Sequence, residues 1–596
     1  MKKILLALLI LLLFSFGFAT CVLEADEDEN SSSSSSSENA SGSDFSASNA
    51  IYIDLTNAKV SSDNENWAEI TTTSTDFFDE TVKVKYTQTD SGESTGVIRV
   101  DAADATENLA VYLSGTQTSG GVKIQTTTEY EVGVYLDNVS ITSTNYPCLD
   151  MTKGGAASVF LTGTNTLNDG RNYSSDYSSY SDNKGTLYCK GGLALVSSNG
   201  TGTLTITQNY KSCIATKANL SIESGTYTLT STAVATYDST EGDYNSPACI
   251  NVDGNMTVSG GTVTGTANGN GSKGLKVDGT YTQSDGTVGV DAQGSNIGSS
   301  GNKFLRMPPP PEFEAGLGFA PAFNRNGGRF ERAGRTPPGS EESAPGATST
   351  STSSASASAK GVKVNGAISI TGGKLYAKSA SHEAIESKST IDITGGEVYG
   401  KSDADDGINA ASHFTISGGY VCGYAVNNDG LDSNGNLYIK GGVVYAIGST
   451  SPEKSIDANT EGGYKLYISG GVVMALGPLE DGSSLTQNCY SASSWSEDTT
   501  YGLTVGDTVY TFKTPSSTSG YGSGIVVSGS SIDVSTALTS GATAGSTTYF
   551  DDLVSVGGSA GSTSVSLSSY SSSSSGGSMG GNSSGFGGGP NRKMRF

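Results

Sequence analysis

Positive charge is scarce in this 596-residue chain: 34 Lys and Arg stand against 59 Asp and Glu, a net charge of −25. A phosphate backbone would be repelled by such a surface, which excludes nucleic acid as a partner. Only two histidines occur, His382 and His413, spaced as neither a metal pair nor a triad, and they read as solvent-facing residues near corners. No Cys-x-x-Cys occurs, so a Cys/His metal site is excluded. Cys148, Cys213 and Cys249, in Pro-Cys-Leu-Asp, Ser-Cys-Ile-Ala and Ala-Cys-Ile-Asn, read as small buried fillers rather than a disulfide framework.

Long apolar runs are equally rare. Ile4–Phe18, after Lys2 and Lys3 and before Phe18-Ala19-Thr20-Cys21, reads as a secretory signal over residues 1–20. It is too short to make a membrane span. Cys21 stands where a bacterial lipoprotein carries its lipid, although Phe18 and Thr20 are larger than usual there, and a plain secretion signal with Cys21 incidental is the alternative. Residues 21–50, acidic and Ser-rich, have nothing to bury and read as a disordered tether. The expected location is extracellular, at the cell surface, with the membrane reached only through a lipid anchor.

What is plentiful is Gly (80), Tyr (29) and β-branched residues, the composition of an all-β chain with many turns. Gly-Gly pairs begin at Gly372, Gly395, Gly418, Gly441 and Gly470, spaced by 23, 23, 23 and 29 residues. Aligned on them, Ile368, Ile391, Phe414, Leu437 and Leu466 form one apolar column, and Leu375, Val398, Val421, Val444 and Val473 another. Val362, Ile385, Ile408 and Leu431 form a third, six residues upstream of the first. Apolar residues at alternate positions on a fixed period mark the strands of a solenoid, whose units bury their inner faces only against each other. Three short strands per coil predict a single-stranded parallel β-helix; the Leu-x-x-Leu-x-Leu-x-x-Asn signature of a leucine-rich repeat is missing.

The expected organisation is an N-terminal β region and cap over 51–130 and the first half of the helix over 131–290. A disordered Pro/Arg/Ser insertion over 291–359 interrupts it, and the second half covers 360–480. A small C-terminal β-cap over 481–556 and a Gly/Ser tail over 557–596 complete the chain.

Stacking makes neighbours of equivalent residues. The stretch SDADDGINAASHFTISGGYVCGYAVNNDGLDSNGNLYIKGG, residues 402–442, repeats an acid-Gly-aliphatic phrase. The position two before the aliphatic residue holds Lys360, Glu383, Asp406, Asp429 and Lys454; the position after it holds Lys363, Glu386, Asn409, Asp432 and Asp457. Both columns are expected to project outward side by side, with Asp403 and Asp405 crowding the same corner. Strand neighbours lie about 4.8 Å apart, and two carboxylates at that distance repel by about 3–4 kcal/mol at an effective dielectric near 20. Such a patch favours a cation; carboxylate and amide oxygens select a hard ion, and flexible coordination suits calcium. The competing reading is an acidic surface served by mobile counter-ions. A tyrosine column, Tyr376, Tyr399 and Tyr445, and a pair, Tyr438 and Tyr467, are expected to face outward, as sugar platforms or as a sheet-stabilising ladder.

The runs KGVKVNGAISITGGKLYAKSASHEAIESKSTIDITGGEVYGKSDADDGINAA and NNDGLDSNGNLYIKGGVVYAIG resemble the bacterial carbohydrate-binding-domain family of right-handed parallel β-helices. The resemblance covers roughly residues 95–480. It implies a right-handed helix, bound calcium, and polygalacturonate- or cellulose-like ligands, as in one branch of that family. The implied calcium role falls on Asp405, Asp406, Asn409, Asp429 and Asp432.

Three functions follow. The first is a non-catalytic, monomeric carbohydrate binder with no catalytic residues. The second is a β-helical lyase or hydrolase. A lyase lacks a candidate arginine base, because outside the insertion and tail only Arg99 and Arg171 occur, away from the acids. A hydrolase would need Asp405 and Asp406 as its carboxylate pair, and adjacent residues of an extended strand point to opposite faces, which suits catalysis poorly unless a turn intervenes. The third is an adhesin or spacer using the solenoid as a rod.

Overall fold

The computed structural model describes residues 39–88, 92, 94–171, 185–239, 241–298 and 355–572. The N-terminal stretch expected to be a signal, with Cys21, residues 299–354 of the expected insertion and the tail from 573 lie outside them. The described chain is all-β; its helical turns are the short Gly42–Asp44 and Thr460–Gly462.

The Gly-Gly period becomes long parallel sheets. Each repeat contributes one strand to a 13-stranded sheet and two to a 29-stranded sheet. In the first, Val362, Ile385, Ile408 and Leu431 pair in register. In the second, Ile368, Ile391, Phe414, Leu437 and Leu466 form one ladder. Leu375, Val398, Val421, Val444 and Val473 form the other. These columns are buried in one continuous apolar core. Each buried aliphatic contributes on the order of 1.5–3 kcal/mol, so one repeat supplies its share only when its neighbours cover it.

The second glycine of each pair turns the corner: Gly373, Gly396, Gly419, Gly442 and Gly471 have φ between +71° and +82°. A Cβ on Gly396 would also stand 2.8 Å from the Gly372 backbone of the preceding repeat, so the corner needs glycine for both conformation and approach. Register survives the insertion, since Leu275 pairs with Val362 and Tyr281 with Ile368. Cys148, Cys189, Cys213, Cys249, Cys422 and Cys489 are free and buried, as small fillers should be.

Antiparallel strands close both ends. Thr75–Phe77, Val82–Gln88 and Ser94–Ala102 finish the 13-stranded sheet. Ile525–Ser528 runs antiparallel to Val472–Leu476. The C-terminal segment also does more than close an end. Its six-stranded sheet lies against the outside of the repeats, where Tyr501, Phe512 and Phe550 build a second core with Tyr399, Cys422, Tyr445 and Met474.

Candidate functional site

The outward columns of the 13-stranded sheet meet at a corner. Strand Ile408–Ala410 lies between Ile385–Ser387 and Leu431–Ser433, which sets Asn409 between Glu386 and Asp432. A bridge from Leu431 to Ile456 brings in Asp457. Asp406 and Asp429 do become neighbours: the Asp429 backbone N–H donates to Asp406 Oδ1 at 3.3 Å. Their exposure differs from expectation. Asp405, Asp406, Asn409 and Asp429 are all buried, where the chain bends before the aliphatic slot. Asp403 is the exception; it stays exposed, and only its backbone carbonyl takes part, accepting from Asn427.

Burial divides the acids into two groups. Glu383 and Asp405 are compensated. His382 Nδ1 bonds Glu383 and lies 3.0 Å from Asp405, while Lys360 Nζ lies 2.9 Å from Glu383. Burial alone would raise the Glu383 carboxyl, but His382 and Lys360 outweigh it and hold it well below the carboxylate range. Burial would likewise lower the His382 imidazole, and its two carboxylate partners raise it instead. His382 is therefore half-buried inside the acidic corner, not a solvent-facing bystander, whereas His413 is exposed as expected.

The second group lacks such relief. One carboxylate oxygen from each of Asp429, Asp432 and Asp457 lies within 4.8 Å of the others. Asn409 donates to Asp406 at 2.8 Å and to Asp432 at 2.6 Å, and Asn428 reaches both Asp405 and Asp406. No lysine or arginine pairs with Asp406, Asp429, Asp432 or Asp457 among the described residues. Burial, followed by the neighbouring acids, pushes Asp406 and Asp432 well above the carboxylate range. Burial lifts Asp429 to about 7, against the opposing bond from the Lys454 backbone N–H, and burial with the Glu480 contact lifts Asp457 to about 11. An all-oxygen cluster of one buried and two half-buried carboxylates, with no lysine or arginine paired to them among the described residues, can hold protons or a hard cation. Asp457 was visible in the alignment of columns but was not among the expected ligands.

The tyrosine expectation fails for one column. Tyr399 and Tyr445 are 3% and 0% exposed, covered by the C-terminal sheet, and no sugar can reach their rings. Tyr445 donates to the Lys513 carbonyl at 2.7 Å. Tyr376, half-buried, bonds Glu397 and accepts from the Phe550 N–H. Tyr438 and Tyr467 remain half-exposed and stack at 4.9 Å between centroids. His413 and Tyr464, which is 39% exposed, extend that aromatic patch. A separate groove of about 560 Å³ crosses the Gly-Gly corners and ends on Tyr420 and Tyr549, stacked at 3.6 Å. The sequence carried no signal for it, because Tyr549 arrives from the C-terminal segment.

A family described as carbohydrate-binding domain-containing protein matches residues 102–407. That range takes in Asp403, Asp405, Asp406, Tyr376 and Tyr399, while Asp429, Asp432, Asp457, Tyr438 and Tyr467 lie beyond it. No curated protein and no solved structure matches the chain.

Proposed function

Because the chain belongs to the family of carbohydrate-binding domain-containing proteins, we propose that it is an extracellular, non-catalytic binder that holds a polysaccharide on a right-handed parallel β-helix with bound calcium. The observation that carries the calcium reading is the Asp429–Asp432–Asp457 cluster, whose oxygens lie within 4.8 Å of one another with no lysine or arginine paired to them among the described residues. Asp406 and Asn409 flank it. A divalent ion there removes the cost of the buried acids and supplies positive charge in a protein of net charge −25. The chain's own residues then orient an acidic, pectin-like glycan, with Tyr438 and Tyr467 offering ring faces on the neighbouring sheet.

A lyase or hydrolase is the enzyme alternative, and an adhesin or spacer the structural one. The donors around Asp405 and Asp406 favour binding, since His382 and Asn428 hold both carboxylates in fixed bonds. Export rests on the Ile4–Phe18 run and anchoring on Cys21.

The test is retention on immobilised polygalacturonate and on cellulose, in calcium and then in chelator, for wild type and Asp429→Asn. Calcium-dependent retention lost in the variant supports the reading. Equal retention of both proteins in calcium, unchanged by chelator, sinks it, and release of unsaturated uronides or new reducing ends makes the protein an enzyme.

A further inference from the structure

The ladder that carries the acids changes sign along its length. Successive in-register neighbours on the 13-stranded sheet are Lys276, Lys363, Glu386, Asn409 and Asp432. In the companion column Lys273 lies opposite Lys360. Four ammonium groups thus gather on two adjacent strands, Lys273–Val277 and Lys360–Val364, in a chain where basic residues are outnumbered 34 to 59.

Their compensation is uneven. Glu383 and Glu386 serve Lys360, and Lys276 reaches Asp278 at 3.5 Å near the surface. Lys363 makes no ion pair among the described residues. Lys273 is only 4% exposed, and among the described residues the one hydrogen-bond partner of its ammonium is the Gly271 carbonyl at 3.5 Å, the outer limit of such a bond. An ammonium buried without a counter-ion is costly. Burial first, and the charges of Lys363, Lys276 and Lys360 after it, hold Lys273 down to about 7. A Cβ on Gly274 would stand 2.5 Å from the Gly361 carbonyl and 2.6 Å from Val290, so the two lysine strands pack closely, and the Lys273 ammonium lies near enough to Lys276, Lys360 and Lys363 to feel their charge.

We propose that Lys276 and Lys363, half-exposed and backed by the buried Lys273, form an anion subsite that takes a carboxylate of an acidic glycan. This rests on the carbohydrate-binding reading and sharpens it. Strands in register are about 4.8 Å apart, so Lys363 and Asp432, three strands along, are separated by about 14 Å. One polyuronate chain lying along the stacking direction can place one carboxylate on the lysines and others on the acidic corner through calcium. A neutral glycan gains nothing at the lysines, so the subsite selects uronate over uncharged sugar.

The full chain in chelator isolates this subsite. Titration calorimetry compares an oligogalacturonate, its methyl ester and inorganic phosphate against wild type, Lys363→Gln and Lys363→Arg. Lys363 is half-exposed, so both variants should fold, and a thermal melt verifies it. The expected result is binding of the acidic oligomer that falls about tenfold in Lys363→Gln, stays within about twofold in Lys363→Arg, and is absent for the ester. Equal affinities of wild type and Lys363→Gln, equal binding of the ester, or no binding in chelator would overturn the proposal. Phosphate bound as tightly as the oligomer would reduce the cluster to a simple anion site and overturn the glycan assignment. Asp432→Asn separates the two claims. It should abolish calcium-dependent retention yet leave the chelator-phase binding intact, so either reading can fail without the other.

Discussion

Replacing Asp432 with Asn should stabilise the protein in chelator and weaken it, relative to wild type, in calcium. Asp432 is the middle member of a cluster whose oxygens lie within 4.8 Å of one another. Each carboxylate pair at that distance costs about 3–4 kcal/mol at an effective dielectric near 20. Without a cation the chain relieves part of that cost by holding protons, as the rise of Asp429 to about 7 and Asp457 to about 11 shows. An asparagine keeps a side-chain oxygen for the Asn409 amide, now 2.6 Å from Asp432, and removes the charge. A gain of roughly 2 kcal/mol is expected, a rise of a few degrees in melting temperature. With calcium at about a hundred times its dissociation constant, wild type gains about 2.7 kcal/mol by mass action, and the variant should lose most of it. Thermal melts in chelator and in millimolar calcium should therefore reverse the order of the two proteins. A variant less stable in both conditions, or an equal calcium shift in both proteins, would refute the reasoning.

Tyr445→Ala removes a fully buried ring that bonds the Lys513 carbonyl; it should cost about 3–5 kcal/mol and expose the C-terminal sheet to protease while leaving glycan retention unchanged. Tyr438→Ala, at the half-exposed stack with Tyr467, should do the opposite, costing at most about 1.5 kcal/mol and lowering retention on the polysaccharide. Lys273→Met changes the response to pH. The folded lysine titrates near 7, below its ordinary value, so the unfolded chain binds more protons and wild-type stability rises with pH from about 7 toward 10. The variant should lose that rise and be more stable than wild type at neutral pH by a few kcal/mol at most, as denaturant titrations at pH 7 and 10 would show. Asp169→Asn leaves the buried Arg171 guanidinium without its ion-pair partner and should destabilise by about 3–5 kcal/mol, measured by the same titrations.

The parallel register was legible because glycine marks it. A corner that needs positive φ and cannot admit a Cβ leaves Gly-Gly at each turn, and every apolar column then follows, down to Phe414 between Ile391 and Leu437. The contact of Asp406 with Asp429 was legible for the same reason. Three features were not. Sequence spacing shows that an outward slot repeats, but not that the chain bends there and buries it, so the acids read as exposed. Nor does spacing show what folds back from far along the chain. Phe512 and Phe550 bury Tyr399 and Tyr445 from more than a hundred residues away in one case and sixty-seven in another. His382 precedes its repeat's acidic slot by one residue and reaches Asp405 in the next repeat, a contact set by side-chain direction at a turn rather than by period.

The most direct measurement is the retention of wild type and Asp432→Asn on an acidic polysaccharide gel, first in calcium and then after chelator. Wild type should be held strongly in calcium and fall back with the chelator to the weak retention that the lysines supply, and the variant should show only that weak retention in both. If the two proteins elute together and indifferent to calcium, the acidic corner plays no part in holding the glycan.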